Sequence, residues 1–237
     1  MNIRCLNQPR ESITTSLSKW SRKLKIPLTT KQTPIDVTII IGDGIPDDIV
    51  WLILTHKLNG KHTIGLIKPS EWLGLSSINA IPKLVGGGKI NSIIVAADQE
   101  TSTLQQMWKE AEKSLKDAAI KFEVIREEER LRVLDCTHAD YKFKTLIVVN
   151  GIDNLPSKSH TIEDHLLQFY KETTGEDLKP LLEKSEGNPK EAWKKLKDRE
   201  EQIYQKLLTD NRIEQVFNQH TKALKTIETK PTQRDTA

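Results

Sequence analysis

Three apolar runs in this chain end in acid. Ile93 to Ala97 lead into Asp98-Gln99-Glu100, Val37 to Ile41 into Gly42-Asp43-Gly44, and Phe143 to Val149 into Asn150-Gly151-Ile152-Asp153. In an open α/β sheet the carboxyl ends of the strands are where ligands and metals bind. If these strands are neighbours, Asp43, Asp98, Glu100 and Asp153 converge on one rim. Carboxylates that close raise each other's pKa unless a cation sits among them. Hard oxygen donors suit Mg²⁺ or Mn²⁺, and an ion held there would activate water or steady a leaving oxygen in phosphodiester chemistry. Glu163 and Asp164 follow the Asp153 loop, and His160 and His165 lie beside them, either one placed to act as a base or a phosphate donor. The competing explanation is plain: acids in βα loops solvate the loop and cap the next helix, as Ser159 or Thr161 with Glu163 and Asp164 would do.

Other motifs point less firmly. Gly42-Asp43-Gly44 lacks the last glycine of a dinucleotide fingerprint, since Asp47 stands there. Gly86-Gly87-Gly88 precedes a strand and Lys89 is followed by Ile90, so it is no phosphate loop. His160 and His165 are five apart and fall off one helix face. No Gly-x-Ser-x-Gly elbow exists, and Cys136 near His138 reads as an ordinary thiol site. Lys190, Lys194, Lys195, Lys197 and Arg199 interleave with Glu191, Asp198, Glu200 and Glu201, the pattern of a solvated helix face rather than of a one-signed stripe for a duplex.

The elements that must carry these residues follow from periodicity. Short, uniformly apolar, β-branched runs fit parallel strands buried on both faces. Strands are expected at 37–41, 62–67, 93–97, 121–125, 130–134 and 143–149. Pro46 opens a helix striped by Ile49, Val50, Ile53 and Leu54, and Thr101 or Ser102 caps another carrying Leu104, Met107, Trp108, Ala111 and Leu115. Residues 74–84 are weakly helical. Strands alternating with helices give an α/β fold with a mostly parallel sheet flanked by helices. From 159 onward only helices are expected, near 160–173, 176–184, 189–208 and 210–227, with Asp210 capping the last. Residues 8–24 form a basic amphipathic helix with Ile13, Leu17, Trp20 and Leu24 on one face, docked on the main domain. The organisation is then 1–34 as helix and linker, 35–185 as the α/β domain, 186–228 as a helical extension and 229–237 as a tail.

With 237 residues, 29% charged and 5% aromatic, the composition is that of a globular protein. A net charge of +3 permits an anionic partner without requiring one. Cys5 and Cys136 give neither a disulfide framework nor zinc spacing, and no apolar stretch approaches a bilayer span, so a cytoplasmic setting without membrane contact is expected.

The order of these features resembles the Toprim domain, the metal-binding α/β unit of topoisomerases, DnaG-type primases and OLD-type nucleases. In that family a glutamate follows the first strand and an Asp-x-Asp motif follows a later one. Gly42-Asp43-Gly44 is similar to the first, with aspartate for glutamate, and Ala96-Ala97-Asp98 to the second, with Ala96 at the first aspartate. The stretch Leu146 to Val149, Ile152-Asp153-Asn154-Leu155-Pro156 and Ile162-Glu163-Asp164-His165 is similar to stand-alone Toprim-like proteins, in which a strand, a Pro-Asp-Asn loop and a helix starting Leu-Glu-Asp follow one another. The resemblance covers roughly residues 35–185 and implies Mg²⁺-dependent phosphodiester chemistry on DNA or RNA. Asp43, Asp98 and Glu100 would hold the ion, with Asp153 a further metal residue and Glu163 or Asp164 in support. A nearby acid or His165 would manage the proton. The carboxylate missing at Ala96 opens the alternative of a catalytically degenerate module that binds nucleic acid, a protein partner or its own copies. A doubly wound enzyme acting on a small phosphate compound is a third reading.

Overall fold

The computed structural model describes residues 3–6, 12–28, 35, 37–40, 42, 45–58, 63–69, 71–87 and 90–228. The elements in chain order are β1 (Ile3–Cys5), α1 (Ser12–Leu24), β2 (Val37–Ile40), α2 (Ile45–Leu58), β3 (Ile64–Ile67), a 3₁₀ segment (Gly74–Ala80) running into α3 (Ile81–Val85), β4 (Ser92–Asp98), α4 (Leu104–Asp117), β5 (Lys121–Glu128), β6 (Leu131–His138) and β7 (Tyr141–Asn150). Then come α5 (Ile162–Thr174), α6 (Lys179–Glu183), α7 (Pro189–Lys195), a 3₁₀ turn (Lys197–Arg199), α8 (Glu200–Thr209), α9 (Ile213–Val216) and α10 (Asn218–Glu228).

The strands form one seven-stranded sheet in the order β1-β3-β2-β4-β7-β6-β5. Pairings from β1 through β7 are parallel, and β6 and β5 complete it antiparallel. The fold is therefore α/β with a mostly parallel sheet, as the alternation of strands and helices implies. Six expected strands appear. The seventh, β1, is a strand of three residues that periodicity could not distinguish from a loop.

Side chains alternate across β4. Ile94 and Ala96 join the core under α1, α2, α5, α8 and α10, while Ile93, Val95 and Ala97 join the core under α3 and α4. Both faces being covered, the strand reads as one continuous apolar run. The same alternation turns Asp98 to the α2 and α5 side. Its register partner Asn150, at the end of β7, shares that face with Leu146 and Val148.

Helix α2 is apolar all round: Ile49, Val50, Trp51, Leu52, Ile53 and Leu54 are each at most 1% exposed. A helix with no polar face is buried on every side. It lies between the sheet and a layer made of α1, α8 and α10, with Leu17 and Trp20 of α1 and Tyr204 of α8 in one core. Trp20 meets Tyr204 edge-to-face at 4.8 Å between centroids. Helix α1 is thus docked. Its expected first residues, 8–11, lie outside the described set, as do 29–34 and the tail 229–237. Two caps differ from expectation. Thr103, not Thr101 or Ser102, caps α4 through a reciprocal pair with Gln106. Asp210 closes α8, where its carboxylate accepts from the Arg212 backbone N–H at 2.9 Å.

Because Leu17 is fully enclosed, Leu17→Ala should destabilise the whole fold by about 2–4 kcal/mol in urea unfolding. A loss below about 0.5 kcal/mol would mean that α1 is an independent arm.

Candidate carboxylate site

The rim forms where four element ends meet: the ends of β4 and β7 and the first turns of α2 and α5. Asn150 is the pivot and is fully buried. Its amide N–H donates to Asp98 Oδ1 at 2.9 Å and to Asp47 Oδ1 at 3.1 Å. With the nitrogen so placed, its carbonyl oxygen accepts from His220 Nε2 of α10 at 2.8 Å. The backbone N–H of Ile162, at the start of α5, also donates to Asp98 Oδ1, at 3.1 Å. An anion at a helix N-terminus is favourable there.

Asp47 is 1% exposed because its helix is buried on every side, and its Oδ2 has no hydrogen-bond partner among the described residues. Burial, then Asp98, Glu163 and Asp48, drive its pKa well above the ordinary carboxylate range, and Lys190 opposes them. Burial also raises Asp98, against the stabilising bond from Asn150. Glu163, 5% exposed, accepts from Thr161 Oγ1 at 2.7 Å. Burial first and Asp98 next push it up to about 7. Asp48, alongside, is raised by burial to about 8.

Lys68 opposes the rise at Asp48, and the cation ion-paired to the rest of the group is Lys190, in the first turn of α7. Its ammonium lies 2.6 Å from Glu100 Oε1 and 3.4 Å from Asp98 Oδ2. Burial works against its charge, but Glu100, Asp98 and Glu163 outweigh it and raise its pKa. Glu100 itself sits in the left-handed region (φ 54°), where its backbone pairs with His160 across the loops.

The structure separates the residues expected from sequence. Asp98, Glu100 and Glu163 belong to the group around Lys190. Asp43 lies outside the described residues. Asp153 is half-exposed and ion-paired to Arg130, whose guanidinium also donates to the backbone carbonyl of Asn150. Asp164 is completely buried and holds the loop between β7 and α5. It accepts from Ile152 N–H at 3.3 Å, Ser157 Oγ at 3.0 Å and His160 Nδ1 at 3.0 Å. Gly151 at the head of that loop has φ 126°, and a Cβ there would stand 2.4 Å from that of His160.

His165 has neither ring nitrogen free. Nδ1 donates to the Val216 carbonyl at 2.7 Å, and Nε2 accepts from Gly151 N–H at 3.2 Å and the Gln219 amide at 3.0 Å. Burial lowers its pKa to about 4. Its contacts join α5 to α9 and α10 and leave neither ring nitrogen free for a proton at the rim. Cys136 is buried and raised to about 11 by that burial, as an unreactive thiol should be.

Sequence reasoning passed over Asp47, Asn150 and Lys190. A signal for Asp47 was present: Pro46-Asp47-Asp48 opens a helix whose next six residues are all apolar. A helix without a polar face must bury its first turn too. Lys190 was hidden in a mixed-charge segment, and only tertiary structure distinguishes it from its neighbours. Among the described residues no group of three or more His, Cys, Asp or Glu side chains is arranged to hold a metal ion as it stands.

His165 yields a pH prediction. Its folded pKa, about 4, lies below the unfolded value of about 6.5, so the unfolded chain binds the proton first as pH falls. The stability advantage of wild type over His165→Gln should shrink by about 2–3 kcal/mol between about pH 7.5 and 4.5, measured by denaturant unfolding. An advantage constant across that window would show that burial does not depress the His165 pKa in the folded state.

No family model, curated protein or solved structure matches the chain.

Proposed function

We propose that this rim binds a divalent cation, Mg²⁺ or Mn²⁺, and serves phosphodiester chemistry on DNA or RNA in the manner of the Toprim-like proteins that the sequence resembles. One observation carries the reading. Asp47, Asp98 and Glu163 come from three different elements and are largely shielded from water, and Asp98 raises the pKa of both others, with an Asp47 oxygen left unpartnered among the described residues. A fold keeps unpaired carboxylates in such company at a considerable free-energy cost unless a cation completes them.

Asp47 and Asp98 would hold the ion, which would supply charge stabilisation for an oxygen developing negative charge on phosphorus. Asn150 fixes the orientation of both carboxylates from behind, so their outer oxygens need not reorganise. Glu163, with a pKa near neutrality, is the side chain best suited to take or return a proton. Ile162 N–H at the α5 terminus keeps Asp98 aimed. Lys190 is suited to meet a phosphate once it leaves the carboxylates.

A second reading rests on Lys190 itself. If its ammonium is the resident cation, the rim carries a positive charge of its own without metal, and Ala96 removes a carboxylate that catalysis in the family uses. The protein would then be a degenerate module that binds nucleic acid or a protein without cutting it.

Calorimetric titration of Mg²⁺ and Mn²⁺ distinguishes the two. The metal reading expects saturable binding near millimolar concentration, loss of binding in Asp98→Ala, and binding tightened about tenfold or more in Lys190→Ala, since a tethered competitor has been removed. Metal-dependent cleavage of labelled single strands or duplexes should disappear with Asp98→Ala. Wild type and Lys190→Ala that both give no binding heat would refute the metal reading. Metal binding by Lys190→Ala alone would favour the degenerate module.

A further inference from the structure

We propose that β5 is the seam of a homodimer, in which two copies pair this strand antiparallel about a two-fold axis and join their sheets into one. β5 is the last strand of the sheet, and no described strand pairs with its outer edge. It is eight residues long, and it holds Val124 and Ile125, at 38% and 46% exposure two of the three exposed large apolar residues described.

The bulge determines the register. Lys121 and Glu123 pair with Thr137 and Asp135 of β6, but beyond the irregularity between Val124 and Arg126 the partners of Arg126 and Glu128 are Val133 and Leu131. Those four β6 residues alternate along their strand. Lys121, Glu123, Arg126 and Glu128 therefore lie on one face of β5, although an unbulged strand would place the second pair on the other face.

A two-fold axis perpendicular to the sheet keeps each face continuous, so opposed residues must share a face. An unbulged strand could meet its copy only with residues of like parity opposed. Here the inserted residue lets Glu123 oppose the partner's Arg126, and Lys121 oppose the partner's Glu128, each contact occurring twice. Val124 and Ile125 meet at the axis. Sliding by one residue pair either way would set Lys121 against Arg126 or Glu123 against Glu128, both repulsive. The charges thus select one register out of three.

Charges and bulges also guard lone sheet edges. A guard against a second copy works by setting like charges opposite each other, and this register does the reverse. Glu128 also pairs with Lys222 and with Arg126 in its own chain, so its carboxylate is already fixed toward that face.

A strand pair of this length buries less than a standard interface, so dissociation constants of roughly tens to hundreds of micromolar are expected. Sedimentation velocity from about 10 to 500 μM should show a reversible monomer–dimer equilibrium. Glu123→Arg alone and Arg126→Glu alone should each weaken it at least about tenfold. The double variant Glu123→Arg/Arg126→Glu should restore it, and the two single variants mixed should form a heterodimer. Asp98→Ala should leave the equilibrium unchanged, because the acid rim plays no part in it. A monomer throughout the range, or a dimer indifferent to these substitutions, overturns the proposal. Glu123 and Arg126 are exposed, and a single cooperative unfolding transition in each variant checks the fold.

Discussion

The amide of Asn150 is the interaction on which the acid rim depends. One side chain at the end of β7 holds a carboxylate at the end of β4, a carboxylate at the start of α2 and an imidazole on α10. Its two donors and its acceptor are all used, the condition under which a buried polar network adds rigidity rather than cost. No charged residue could take its place. An aspartate would add another anion to the group, and a lysine would lack the acceptor that His220 requires.

Around that pivot the layers follow in order. The parallel strands set Asp98 and Asn150 in register, and the uniformly apolar α2 drives the first turn of its own helix into the interior. Asp47 is buried because its neighbours are apolar, and Glu163 because α5 packs flat against α2 and the C-terminal layer. The raised proton affinities therefore arise mainly from the burial of α2 and α5, and only secondarily from the acids' proximity. Lys190 then enters from a short helix anchored by Pro189, Ala192 and Trp193. It brings a charge of the needed sign at the end of a flexible stem, where it can be exchanged for another cation.

Much of the fold was legible in the sequence because burial on both faces writes itself as β-branched runs, and βα alternation writes itself as a parallel sheet. β1 left no such trace, since three residues carry no period. The rim was legible only in part. Asp98, Glu100 and Glu163 lie at ends of elements, which strand and helix boundaries reveal. Asp153, Asp164 and His165 lie at equally suggestive places, yet Arg130 draws one outward and the loop before α5 consumes the others. Position along an element separates neither case. Of the deciding partners, Arg130 and Val216 are brought in from other segments by packing, and Ser157 by the path of the loop itself.

That distance has a consequence for the order in which the molecule is made. Lys190 reaches Glu100 across 90 residues, and His220 reaches Asn150 across 70. During synthesis the acids of α2 and β4 leave the ribosome well before the residues that balance and support them. Until the C-terminal helices arrive, α2 has the sheet on one side and only α1 on the other, and the apolar surface that α8 and α10 later cover is open to whatever else is nearby. Contacts of such long range fold slowly. The nascent chain should therefore be most dependent on chaperones when its first two-thirds are out and its final helices are not.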